Sequence, residues 1–79
     1  MCDLKELLTY IAQSLVDNPD EVSVTEREED TEIIYELRVN QSDMGKVIGR
    51  GGRIAKDIRS LMRSAAGRLG KRISVDIVD

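Results

Sequence analysis

Three of the chain's six glycines fall within four residues, Gly49-Arg50-Gly51-Gly52, and the run stands between two stretches of helical spacing. Glycine is costly inside a helix and readily takes positive φ, so the chain must turn here and the apolar positions on either side belong to separate helices. With no Cβ to cover them, the N–H groups of such a turn stay open to approach. The helix that follows begins with unpaired N–H groups and the positive end of its dipole. Both features favour an anion, and Lys46, Arg50 and Arg53 would add positive charge at the same place.

The rest of the chain divides cleanly around that turn. Asp3 to Asp17 carries Leu4, Leu7, Leu8, Ile11, Ala12, Leu15 and Val16 at helical spacing. Asp3 is a natural N-cap, Glu6 completes a capping-box pattern, and Asn18-Pro19 stops the helix. Glu21 to Glu26 alternates, with Val22 and Val24 on one face, and Thr31 to Val39 alternates again with Ile33, Tyr35, Leu37 and Val39 inward. The charged stretch Arg27-Glu28-Glu29-Asp30 between them reads as the turn of an antiparallel hairpin. Ile34 breaks the polar face of the second strand, as a lone surface residue or a contact for a partner chain. Ser42 or Asp43 is placed to cap a short helix, Met44 to Ile48. After the glycines, Gly52 to Leu69 forms a helix with Ile54, Ala55, Ile58, Leu61, Met62, Ala65, Ala66 and Leu69 in one arc and mostly basic residues in the rest. Gly70 ends it, and Ile73 to Val78 is a last strand. This order predicts an α+β fold, α-β-β-α-α-β, with a three-stranded sheet and three helices packed on one face.

At 79 residues the chain reads as one domain, residues 1–79, with a small core for which a dimer is no surprise. That core must be aliphatic, because Tyr10 and Tyr35 are the only aromatic residues. A base-stacking platform of several aromatic side chains is thereby excluded. There is no His and a single Cys, Cys2, so neither a zinc site nor an internal disulfide can form. Cys2, at the extreme N-terminus, reads as incidental. No apolar run reaches the roughly 18 residues of a spanning helix and no signal peptide is visible, so the expected location is the cytoplasm. The acidic cluster Glu26, Glu28, Glu29, Asp30 and Glu32 has no calcium-loop spacing and reads as a solvated strand edge and turn.

The net charge of −3 conceals a strong polarity. Residues 1–44 hold 12 acids and 3 bases, a net of −9, whereas residues 45–79 hold 9 bases and 3 acids, a net of +6. The basic half is the half that contains the glycine turn. Screening confines what a bound anion feels to about 8 Å at physiological salt, so this local excess outweighs the overall sign.

No Ser or Thr follows a Gly-Lys pair, which sets aside a nucleotide-binding P-loop. The position where a dinucleotide fingerprint needs its third glycine is Ile54, and no strand precedes the turn. A purely structural corner would not account for Lys46, Arg50, Arg53 and Lys56 crowding one place. Val47-Ile48-Gly49-Arg50-Gly51-Gly52-Arg53-Ile54 between two helices resembles the signature of the KH domain, and the element order resembles its type II arrangement. Tyr10-Ile11-Ala12, Leu15-Val16-Asp17, Pro19, the stretch Asp43 to Lys56 and the closing Ile77-Val78-Asp79 are similar to the small bacterial single-KH family called KhpA. In the KH family the loop grips the backbone of about four nucleotides of single-stranded RNA.

That resemblance implies an RNA-binding protein or RNA chaperone and no enzyme, cofactor or metal. It implies a homodimer or a heterodimer with a second KH protein of the KhpB (Jag) type, and roles around cell envelope, cell shape and division. The RNA-binding residues it points to are Lys46, Ile48, Gly49, Arg50, Gly51, Gly52, Arg53, Ile54 and Lys56. Phosphates would cross Gly49 to Gly52, bases would lie in a groove walled by Val47, Ile48, Ile54 and Ile58, and Lys71 and Arg72 would form its far rim. A module that pairs proteins through the apolar arc of the long helix or through Ile34 is the competing expectation.

Overall fold

A computed structural model of the chain describes residues 3–78, so Cys2 and Asp79 lie outside the described residues. The elements are α1 (Leu4–Leu15), β1 (Ser23–Glu29), β2 (Glu32–Arg38), α2 (Met44–Ile48), α3 (Arg53–Arg68) and β3 (Arg72–Val78). The sheet has three strands in the order β1-β2-β3. β1 runs antiparallel to β2, and β3 runs parallel to β2. A parallel neighbour requires a crossover, and α2, the glycine turn and α3 provide it. This is the expected α+β order, with its helices stacked on one face of the sheet.

The core lies where those helices meet the sheet. Leu4, Leu8 and Ala12 of α1, Val47 of α2 and Ile58, Met62 and Ala66 of α3 pack on Val24, Tyr35, Leu37, Val39, Ile73 and Val75. Strand residues alternate sides, so Ile33, Tyr35 and Leu37 pair across the ladder with Ile73, Val75 and Ile77 to form the inner face. Tyr35 is buried, and its phenol is held above its ordinary pKa first by burial and then by the charges of Glu26, Asp3 and Glu28.

Several boundaries differ from the sequence reading for physical reasons. The hairpin turn is only Asp30-Thr31, and Arg27 to Glu29 continue β1 in register with Ile34 to Glu32. Asp30 makes the tight reversal possible by adopting φ of +49°, a conformation that aspartate tolerates better than most residues. Arg27 also bridges Glu29 at 2.8 Å and Glu36 at 3.5 Å. Asp3 does cap α1, accepting from the Lys5 N–H at 2.9 Å.

At its other end α1 stops at Leu15, short of Asp17. The N–H groups of Asp17 and Asn18 donate instead to the carboxylate of Asp43 at 3.3 and 3.0 Å. Asp43 therefore does not cap α2. Its Oδ2 also accepts from Asn18 Nδ2 at 3.0 Å, and only 1% of the residue is exposed. The turn before α2 is capped by Asn40, whose Oδ1 accepts from the Ser42 N–H at 2.8 Å. Leu61 and Leu69, expected in the buried arc of α3, are 52% and 51% exposed. They lie at the edge and the end of that arc, beyond what α1 and the sheet cover.

Candidate nucleic-acid interface

The loop is built by three successive glycine conformations. Gly49 ends α2 at φ 77°, ψ 175°, and its N–H closes the helix on the Gly45 carbonyl at 2.9 Å. That backbone region is essentially open to glycine alone. A Cβ there would also stand 2.6 Å from Cγ1 of Ile54, so the loop is folded tightly onto the first turn of α3. Gly51 (φ 66°, ψ 18°) and Gly52 (φ 77°, ψ 14°) then take left-handed conformations that aim the chain into α3. At Gly51 a Cβ would meet nothing within 4 Å, so its backbone stands open.

Which N–H groups remain open differs from the sequence expectation. The Gly52 N–H bonds to the Gly49 carbonyl at 3.2 Å, and the Arg53 N–H bonds to the Arg50 carbonyl. The start of α3 is therefore partly closed by its own 3-10 turn. Among the described residues, the N–H groups of Arg50 and Gly51 have no backbone acceptor outside that turn. These two donors, at the exposed apex, are what the loop offers to an anion.

The basic side chains fall into separate groups. Arg50, Arg53 and Lys56 are exposed, and none has a salt-bridge partner among the described residues. Lys46 is different: its Nζ sits 3.2 Å from Asp17 and 3.9 Å from Asp43. Its charge is spent largely on the end of α1. Among the apolar residues, Ile48 and Ile54 are half-buried beside the loop, whereas Val47 and Ile58 are 0% and 4% exposed. Val47 and Ile58 are thus core and offer no wall to a base. Around the loop the exposed or half-buried candidates are Ile48, Gly49 to Gly52, Arg53, Ile54 and Lys56, with Lys46 exposed but paired.

The sequence reading had no signal for Asp43, whose carboxylate fixes the loop's supporting helix to the end of α1. In sequence it is an ordinary capping candidate, and its partners lie 25 and 26 residues away. Burial raises its pKa, but the Asn18 side chain, the Asp17 and Asn18 N–H groups and Lys46 together hold it below the ordinary value. Arg59 is a second residue without a sequence signal; its Nε donates to the Val75 carbonyl at 3.1 Å and ties α3 to β3.

Comparison with known proteins settles the family. A model of the KH domain of KhpA and KhpB matches residues 5–77. The chain belongs to the KhpA/KhpB KH-domain family. It is 53% identical to the RNA-binding protein KhpA of Clostridium acetobutylicum, across 95% of this chain and all of that one. It is 47% identical to the RNA-binding protein KhpA of Borreliella burgdorferi across 94% and 90% of the two chains. It is 40% identical to that of Aquifex aeolicus across the whole of both. Among solved structures, Era from Aquifex aeolicus bound to GDP and aluminium fluoride superposes with a TM-score of 0.66 at 20% identity, over 94% of this chain and 29% of Era. Era in complex with MgGDPNP and a segment of 16S ribosomal RNA gives 0.65 at 20% identity, over 94% and 28%. At that identity the likeness is one of fold alone. Each of the three KhpA relatives is named as an RNA-binding protein.

Proposed function

We infer that the chain holds single-stranded RNA by its phosphate backbone at Gly49 to Gly52 and acts by binding alone, without a chemical step. The observation that carries this reading is the apex of the loop. Two backbone N–H groups, those of Arg50 and Gly51, have no backbone acceptor among the described residues and stand beside Arg50 and Arg53, which have no salt-bridge partner among them. Unpaired donors in a concave turn suit phosphate oxygens, and the guanidinium groups add charge that screening does not remove at contact distance. Lys56 stands one turn further on. Bases would rest on Ile48 and Ile54. Few side chains can read base edges here and there is no aromatic platform, so the grip is weak and tolerant of sequence, which suits an RNA chaperone of the cytoplasm.

Weak sites gain from pairing, because a second copy raises the effective concentration of the first. Leu61 of α3 and Leu69 just past its end, both about half exposed with half-buried Ala65 between them, support a homodimer or a pairing with a second KH protein of the KhpB (Jag) type. The same strip favours the second reading, a protein-pairing module in which RNA plays little part.

The Arg50→Asp/Gly51→Asp double variant separates the two. Both residues are exposed and Gly51 has open space, so the change meets only the left-handed backbone penalty, which aspartate tolerates better than most residues. RNA binding measured by fluorescence anisotropy should be lost while the oligomeric state stays unchanged. Undiminished RNA binding would contradict the clamp.

A further inference from the structure

We propose that the free edge of β1 is a docking site for an extended basic segment of a partner protein, which adds a strand to the sheet and seats one lysine or arginine side chain between Glu26, Glu28 and the hydroxyl of Tyr35. The RNA-binding reading above makes no use of this edge. β1 has β2 on one side and no strand on the other. Alternate residues of β1 therefore turn their N–H and C=O groups to a bare edge. An added strand would bond to that row, while its alternate side chains reach the face of the sheet.

Charge decides which strand the edge accepts. Glu26, Glu28 and Glu29 stand on β1, and Asp30 and Glu32 follow at the turn. Arg27 bridges Glu29 and Glu36. Glu26, Glu28, Asp30 and Glu32 have no salt-bridge partner among the described residues. A second copy of β1 laid along this edge would set acid against acid, which is how charged edges resist self-pairing. Nucleic acid is repelled in the same way. A segment carrying lysine or arginine meets the opposite field, so the charges that turn away those two favour a basic peptide.

Tyr35 adds a separate observation. It lies opposite Glu26 in the ladder, and Ile33 lies opposite Glu28, so the four side chains share one face about 5 Å apart in pairs. Tyr35 is 3% exposed, yet its hydroxyl has no hydrogen-bond partner among the described residues. A buried phenol ordinarily has one. Burial first, and then the charges of Glu26, Asp3 and Glu28, hold its pKa up, so these carboxylates surround it without closing on it. An ammonium or guanidinium group, which only donates, satisfies the phenol oxygen and the carboxylates together. No group of three or more acids among the described residues could hold a metal ion, so the arrangement suits the larger head of a side chain. Half-buried Ile33 offers an apolar rest for its methylene stem.

The probe is a labelled peptide of about eight residues, the length of an ordinary strand, with lysine alternating with threonine. A fully N-methylated copy keeps the charge but cannot pair with the edge, and spermidine supplies charge without a strand. Binding to the full chain is followed by anisotropy at low salt. Wild type should bind the plain peptide, hold the methylated copy far more weakly, and release the plain peptide only at a large excess of spermidine. Glu26→Gln/Glu28→Gln should weaken binding about tenfold through two lost charge pairs. Tyr35→Phe should weaken it about fivefold with the melting temperature unchanged, because the hydroxyl has no partner in the fold. Asp20→Asn/Asp57→Asn, which removes the same charge elsewhere, should bind as wild type does. Arg50→Asp/Gly51→Asp should also keep the peptide, whatever it does to RNA. The proposal is overturned if wild type does not bind the plain peptide, if the methylated copy binds equally well, or if the Glu26/Glu28 and Tyr35 variants bind undiminished. Loss of the peptide in the loop variant would move the contact to the loop and overturn it too. None of these outcomes bears on RNA binding by the loop, which its own variant tests.

Discussion

Asp43 and the Arg50–Gly51 apex lie within ten residues of each other and treat their polar groups in opposite ways. Asp43 is buried, and its carboxylate is met by the N–H groups of Asp17 and Asn18 and by the Asn18 amide. At the apex, donors and cations stand at the surface without partners among the described residues. A charge taken out of water is tolerable only when it is matched, so Asp43 belongs to the fold. Groups that a chain holds rigidly yet leaves unmatched are available to a ligand. Lys46 stands between the two regions and leans toward the first, with its Nζ 3.2 Å from Asp17 and 3.9 Å from Asp43.

Gly49→Ala tests how far the apex depends on its backbone. The substitution forces a glycine-only conformation and a clash with Ile54, and should cost about 2–4 kcal/mol in urea unfolding. Gly51→Ala meets only the left-handed penalty of about 1–2 kcal/mol. Equal losses would mean that the contact between Gly49 and Ile54 does not fix the loop. Asp43→Ala should be the next most damaging change, because it takes the acceptor from the part-buried Asp17 and Asn18 N–H groups, and a clear fall in melting temperature checks it.

The Asp43 carboxylate also makes a pH prediction. Its folded pKa lies below the ordinary 3.8, so its contribution is complete above that value and fades as pH falls through the lowered one. Wild type should lose stability in that acid range more steeply than Asp43→Asn, which is less stable at neutral pH but has no such proton to bind. Parallel acid profiles for the two proteins would show that the tie is not linked to this carboxylate. The smallest effect belongs to Asp17→Asn. It frees Lys46 from an exposed pair worth about 0.5 kcal/mol or less, and should raise RNA affinity slightly while barely moving the melting temperature.

Much of the fold could be read in advance because its signals are local. The α3 pattern, the alternation in β2 and the glycine run each specify an element within a few residues. The parallel pairing of β2 with β3 was left open by element order and is set by the crossover through α2 and α3. What escaped notice depends on distance along the chain. Leu61 and Leu69 fall in the same apolar arc as Met62 and Ala66, and only what packs against that arc decides that they stay exposed. Val47 and Ile58 looked like groove walls for the same reason, since periodicity marks a face as apolar without saying how deeply it is covered. The early end of α1 and the extension of β1 through Arg27 to Glu29 were set by partners on other elements. The glycine run was legible as a turn between two helices, but not which of its N–H groups are open, because that depends on how its own 3-10 turn closes.

The most direct measurement follows individual amides by NMR as a short single-stranded RNA is added at low salt. The account predicts that the Arg50 and Gly51 N–H signals move most, with those of Arg53 and Lys56 following, while the Asp17 and Asn18 amides bonded to Asp43 stay in place. Shifts centred instead on Leu61 and Leu69, or on the open face of the sheet around Ile34, with Arg50 and Gly51 unmoved, would contradict it.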